Sequence, residues 1–166
     1  MGRRVEIDES LPPVAISRRV LLEVCQHAIE TAPEECCGLV IGGAALRYEE
    51  VARCRNDMTL HHRLDPESYP RDGRHAYWMN ELDYQRVDGE ARARGRGITG
   101  IYHSHVGADA YLSELDMQYA EHALFPFPES DQLVVAVLDG RVGRVGLFLA
   151  RPRGGFEGRR VVASEG

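Results

Sequence analysis

Asp139-Gly140 stands between two runs of β character, Gln132 to Leu138 and Val142 to Ala150. An Asp-Gly pair between two such runs predicts a tight antiparallel hairpin, because both central residues of that turn need positive φ. The chain is thereby committed to a sheet, and a sheet needs a cover for its apolar face. The segment from Ser17 to Ala32 supplies one. Leu21, Cys25, Ala28 and Ala32 fall at steps of four, three and four, which is one face of a helix, with Ser17 as its cap and Pro33 as its stop. At 166 residues with 43% hydrophobic side chains the chain suits one compact domain. The reading is a single domain over 1–166, with its core at about 17–150 and 151–166 a loose, Arg- and Gly-rich C-terminal extension holding at most a short strand at Arg160 to Ala163.

Between these ends the pattern alternates. Cys36 to Ile41 is a short apolar run closed by Gly42-Gly43, and Arg47 to Cys54 follows as its paired strand. From Arg55 to about Tyr77 periodicity is lost, and Pro66, Pro70 and Gly73 interrupt the chain, which predicts a long loop of functional length. Asn80 to Arg94 has helical composition, Ile98 to Ser104 reads as a buried strand, and Ser113 to Leu124 as a third helix. Strands and helices mixed in this order give an α+β, three-layer αβα fold.

Composition excludes several functions. With 20 Lys+Arg against 26 Asp+Glu the net charge is −6, which disfavours a phosphate-backbone partner, so no nucleic acid is expected. The arginines of Met1-Gly2-Arg3-Arg4-Val5-Glu6 are followed by no apolar stretch, and no apolar run approaches the roughly 20 residues that span a bilayer. The expected location is cytoplasmic, away from membranes, with Cys25, Cys36, Cys37 and Cys54 as reduced thiols lacking any CxxC pair.

The chemistry concentrates in His103-Ser104-His105, followed by Ser113 and Asp116. On a strand, His103 and His105 project from one face about 6.5 Å apart, a separation one metal ion can span. Asp116, one turn into a helix that starts at Ser113, can bring its carboxylate to the same point. Two histidines and one carboxylate suit zinc with a fourth position left open, as catalysis requires. Ser113-x-x-Asp116 is also a helix capping box, and the two roles are compatible. Hydrolysis needs a further carboxylate that is not a ligand, and Glu34 and Glu35 precede the first apolar strand.

Pro33-Glu34-Glu35-Cys36-Cys37-Gly38-Leu39-Val40-Ile41-Gly42, with Ile101-Tyr102-His103-Ser104-His105 and the Ser113/Asp116 spacing, resembles the JAMM (MPN+) metalloprotease family from about Ser17 to Ala150. The resemblance implies an MPN/JAB-type, cytidine-deaminase-like domain with a curved mixed sheet flanked by helices. It implies His103, His105 and Asp116 as ligands of one zinc ion, Glu35 as general acid/base and Ser113 as hydrogen-bond donor to the oxyanion. Val106 stands where many deubiquitinating members have Pro. The chain looks more like small bacterial members that trim ubiquitin-like sulfur-carrier proteins. The implied activity is cleavage after the C-terminal Gly-Gly of a ubiquitin-like or sulfur-carrier protein. An isopeptidase acting on lysine conjugates and a non-catalytic MPN scaffold are the alternatives, and a homodimer is among the expected assemblies.

Other features have plainer readings. Cys36 and Cys37 are neighbours, so on a strand they face opposite ways as small buried hydrophobes. His61, His62 and His75 are expected at the surface. Tyr69, Tyr77 and Trp78 are expected in the core, with a groove for an extended peptide tail as the alternative. Arg92 to Arg96 reads as a solvated helix end, with steering of an acidic partner as its alternative.

Overall fold

The Asp139-Gly140 turn forms as the pattern requires: both residues have positive φ, 51° and 73°, in a computed structural model that describes residues 3–165. Around it the elements run β1 (Val14–Ser17), α1 (Arg18–Thr31), β2 (Cys37–Gly42), β3 (Glu50–Cys54), α2 (Met58–Leu64), α3 (Glu81–Ala93), β4 (Gly97–Val106), α4 (Glu114–Ala120), β5 (Asp131–Leu138), β6 (Arg141–Ala150) and β7 (Phe156–Ser164). The seven strands make one mixed, curved sheet of order β1-β7-β6-β5-β4-β2-β3. β4 pairs β5 and β1 pairs β7 in parallel, and the remaining neighbours are antiparallel. This is the α+β sandwich of helix, sheet and helix that the residues and the resemblance implied.

α1 covers one face. Ser17 accepts from Val20 N at 3.2 Å to cap it, and Val20, Val24 and Ala28 pack on Val40, Leu133, Val135 and Leu147. α3 covers part of the other face, where Val87 and Ala91 meet Leu39, Ile41 and Ile101. Asn80 caps α3 by accepting from Asp83 N at 2.9 Å. Gly38 must be small: a Cβ there would lie 2.4 Å from the ring of fully buried Tyr102. No helix among the described residues is long and apolar enough to cross a membrane.

Two expectations are corrected. The stretch from Arg55 to Tyr77 is not wholly a loop, because α2 occupies Met58–Leu64 and Asn56 bridges Met79. Its missing stripe has a physical reason: only Met58 of α2 is buried, so the helix carries almost no apolar face to read. The expected loose extension over 151–166 holds a long strand, β7, in its described part, and Gly166 lies outside the described residues. β7 pairs antiparallel with β6 and parallel with β1, and its Gly158 lies so close to Glu6 and Ile7 that a Cβ would strike backbone at 2.1 Å. Half-exposed Arg and Glu side chains along β7 hide a strand whose stability comes from backbone pairing.

Candidate metal centre

β4 carries His103 and His105 on one face and Tyr102 and Ser104 on the other, as strand alternation requires. His103 is fully buried and His105 nearly so. α4 begins at the Ser113 cap, where Asp116 N donates to Ser113 Oγ and Ser113 N donates to Asp116 Oδ2, both at 3.0 Å. That reciprocal box aims the Asp116 carboxylate at the histidines. Asp116 Oδ2 lies 3.2 Å from His103 Nε2 and 3.3 Å from His105 Nε2, and the two nitrogens are 3.3 Å apart. An ion with bonds of about 2.0–2.1 Å in tetrahedral geometry separates its donors by about 3.3 Å, so these three atoms fit the base of such a site. Among the described residues this is the group of His, Cys, Asp and Glu side chains able to hold a metal.

Neighbouring groups orient the donors. His105 Nδ1 sits 2.9 Å from the Asp109 carbonyl, which can only accept, so Nδ1 carries the proton and Nε2 keeps its lone pair for the centre. The Asp109 carboxylate pairs with Arg144 at 2.6 Å, tying this loop to β6. Tyr77 stacks on His103 at 4.6 Å between ring centroids. Burial alone would raise the Asp116 carboxyl, but the two imidazoles outweigh it and hold the group well below the usual carboxylate range. Burial would lower His105, yet its bond to Asp116 and that charge leave it raised.

Glu34 and Glu35 lie just before β2, in irregular backbone and not on the strand that alternation assumed, and their side chains diverge. Glu34 turns away to accept from Thr59 Oγ1 at 3.1 Å. Glu35 is 6% exposed, and burial pushes its carboxyl up to about 8, with His105 and Arg71 pulling down and Asp116 pushing up. A bound cation would pull it down further. The Glu35 backbone is fixed at both ends: its N–H donates to Gly73 O at 2.7 Å, and its carbonyl accepts from Asn56 Nδ2 at 2.9 Å. Asn56 also accepts from Met58 N and Trp78 N at 3.0 and 2.9 Å, and so ties Glu35 to the wall that follows.

That wall is aromatic. A cleft of about 740 Å³ opens beside Asp116, lined in part by Tyr69, Tyr77, Trp78, Tyr119 and Phe125. The groove reading of Tyr69, Tyr77 and Trp78 therefore replaces the purely core one, although Tyr77 is itself buried. Cys36 joins the α1 side and Cys37 the α3 side, as opposite-facing neighbours must. His61 stacks on Tyr69 at 4.9 Å, His62 meets Tyr69 O at 2.7 Å, and exposed His75 faces Asp72, so none reaches the centre. Arg92, Arg94 and Arg96 pair with Asp88, Glu50 and Glu49, which spends their charge within the molecule. Asn56, Arg71 and Asp109 escaped the sequence reading. Lone residues in irregular segments carry no periodic signal, and only the punctuation by Pro66, Pro70 and Gly73 pointed to this region.

Two solved structures share the fold. One is the solution structure of protein DSY2949 from Desulfitobacterium hafniense, at TM-score 0.64 and 19% identity, covering 90% of this chain and 92% of that one. The other is a protein from Salinibacter ruber, at TM-score 0.61 and 22% identity, covering 92% of each chain. No curated protein matches the sequence. Residues 17–148 match the family model described as prokaryotic homologs of the JAB domain, a span that takes in both histidines, Asp116, Ser113 and Glu35. Over that span, and with the sheet and the His-His-Asp group described above, this chain belongs to the prokaryotic homologs of the JAB domain.

Proposed function

We propose that this protein is a zinc-dependent peptidase that hydrolyses the bond after the C-terminal Gly-Gly of a ubiquitin-like or sulfur-carrier protein. The observation that carries the reading is the triangle of His103 Nε2, His105 Nε2 and Asp116 Oδ2 at 3.2–3.3 Å, with a buried Glu35 carboxyl outside the ligand set. Zinc held by these three residues supplies a Lewis acid that lowers the pKa of water to about 7. Glu35 takes a proton from the attacking water as the C–O bond forms, and returns it to the leaving nitrogen as the C–N bond then breaks. Its desolvated carboxyl suits that exchange, because a pKa brought near neutrality lets one group both accept and donate.

Ser113 has the right capacity for the oxyanion. Its Oγ already accepts from Asp116 N, which leaves the hydroxyl proton free to donate. An extended tail gains main-chain hydrogen bonds whatever its side chains, so selectivity for the carrier comes from docking of the folded partner and from the narrow backbone of two glycines. The test is to load the protein with zinc and digest a folded carrier bearing an extension after Gly-Gly, alongside a free peptide with the same terminal residues. Mass spectrometry should find the carrier cut after Gly-Gly, the free peptide nearly intact, and no cutting by His103→Ala. Cutting elsewhere in the tail, or cutting that survives His103→Ala and metal chelation, would overturn the reading.

A further inference from the structure

The aromatic cleft is far larger than two glycines need. At about 740 Å³ it falls within the roughly 300–1,000 Å³ of sites that enclose small ligands, and its walls are mainly apolar and aromatic side chains, six of them Tyr, Trp or Phe. Its floor is continuous with the metal centre: Asp116 lines it, and Tyr77, another lining residue, stacks on His103. Trp78 and Tyr119 stand against each other at 5.5 Å, and Tyr69 meets Trp78 edge-on at 5.6 Å, so the rings hold one another in place without filling the space.

The lining of this apolar space carries one guanidinium. Arg71 lines it, is exposed, and makes no ion pair among the described residues. The loop that carries it is stitched to Glu35, because Gly73 O accepts the Glu35 N–H at 2.7 Å and Asn56 bonds both Glu35 and Ala76. Arg71 is near enough to Glu35 for its charge to act on that carboxyl. The lining acid Glu81 stands on α3, where its charge acts on Tyr84. The cation therefore stands on the loop that is bonded directly to the group that hands a proton to the leaving nitrogen.

Resting on the peptidase reading, we infer that this cleft is the leaving-group subsite, and that it takes a short C-terminal segment bearing a large apolar or aromatic side chain and a free α-carboxylate, which Arg71 meets. The aromatic walls accept the side chain by offset and edge-on contacts. The Arg71 guanidinium offers the paired N–H geometry that matches a carboxylate. Hydrolysis then releases the carrier with a Gly-Gly carboxylate and the segment with a new amine. A lysine conjugate presents no carboxylate at that position, so the subsite favours trimming of a tail over removal from a lysine.

Trp78 is the chain's single tryptophan, so its emission reports occupancy of the cleft without any turnover. N-acetylphenylalanine, its amide and N-acetylglycine are titrated into the zinc-free protein, where no bond from carboxylate to metal contributes. The acid should bind about tenfold more tightly than the amide, N-acetylglycine should leave the emission unchanged, and Arg71→Gln, an exposed position, should bring the acid down to the level of the amide. On the zinc-loaded protein, Arg71→Gln should lower kcat/KM for a carrier ending Gly-Gly-Phe about tenfold, with no change for the same carrier amidated at its C-terminus. Equal binding of acid and amide by the unmodified protein would overturn the inference. So would tighter binding of an amidated peptide that has its apolar residue before Gly-Gly, since the cleft would then belong to the tail side. Acid-selective binding in a protein that cuts no carrier sinks the peptidase reading and leaves the subsite supported.

Discussion

The two faces of the sheet are built from the same strands, one residue out of step, and they treat polar groups in opposite ways. Towards α1 the buried layer is Ile16, Val20, Val24, Leu133, Val135 and Leu147, with few polar contacts in it: Tyr48 Oη donates to Asp131 Oδ2, Cys36 N donates to Ser104 Oγ at 2.8 Å, and His27 Nδ1 meets Tyr102 Oη at 2.7 Å. Burial, helped by Arg53, pushes His27 down to about 4, so at neutral pH that contact is an uncharged hydrogen bond. On the opposite face His103, His105, Asp116 and Glu35 are all buried together. Burying charge is costly unless charges offset one another, and there the imidazoles and the Asp116 carboxylate do so at 3.2–3.3 Å. One face is arranged for packing and the other for chemistry, and the difference is that, among the described residues, only the second brings two imidazoles and two carboxyls together.

The strongest way to break this contrast is Asp116→Asn, which removes the one charge that both imidazoles share. Zinc content should fall to near zero and turnover by at least about a thousandfold, measured by metal analysis and carrier cleavage. Full zinc retention would mean that the clustered face is not a metal centre.

Glu35→Gln comes next. Turnover should drop about a hundredfold to ten-thousandfold with zinc retained, whereas Glu34→Gln, on a side chain that faces Thr59, should change it less than about twofold. The same variant has a stability signature in the zinc-free protein. The Glu35 carboxyl is raised by folding from 4.5 to about 8, so its ionisation costs stability progressively as pH rises through that interval, and nothing is lost below it. Glu35→Gln should therefore melt higher than the unmodified protein at pH 8 and alike at pH 4. A uniform offset at both pH values would show that burial of the charge is not the cause.

The packed face should respond to shape in place of charge. Gly38→Ala drives a methyl group into the immobile Tyr102 ring at 2.4 Å and should cost about 1–3 kcal/mol in denaturant melts, with zinc per folded molecule unchanged. Loss of zinc at full stability would show the two faces to be coupled through β2. The smallest effect belongs to Tyr102→Phe, which deletes the hydroxyl facing His27. About 1 kcal/mol of stability should go and turnover should stay within about twofold.

Much of the site was legible because its parts are close in sequence. His103 and His105 share a strand, Ser113 and Asp116 share a helix start, and both patterns follow from the periods of those elements. Glu34 and Glu35 precede β2, so what separates them is the bonding of this irregular segment to Thr31 O and Gly73 O and not a strand period. The wall of the cleft was not legible. Tyr69, Trp78, Tyr119 and Phe125 come from two distant segments, and a large aromatic ring reads as core until the fold leaves space beside it. β7 was read as a short strand at Arg160 to Ala163 where it runs from Phe156 to Ser164, since half-exposed charged residues conceal backbone pairing with β6 and β1.

By itself the sequence determined the alternation of helix and sheet, the hairpin at Asp139-Gly140 and the grouping of His103, His105 and Asp116, because each follows from local periodicity, turn chemistry or short spacing, whereas the preference for Glu35 over Glu34 came from the resemblance to the JAMM family. Only the tertiary structure decided that the donors of β4 and α4 close to 3.2–3.3 Å, that Asn56 ties Glu35 to the aromatic wall, and that Arg71 lines the cleft. Those contacts join residues far apart in the chain. They exist only because the packing of α3 and α4 on one face of the sheet fixes where the irregular segments between them must run.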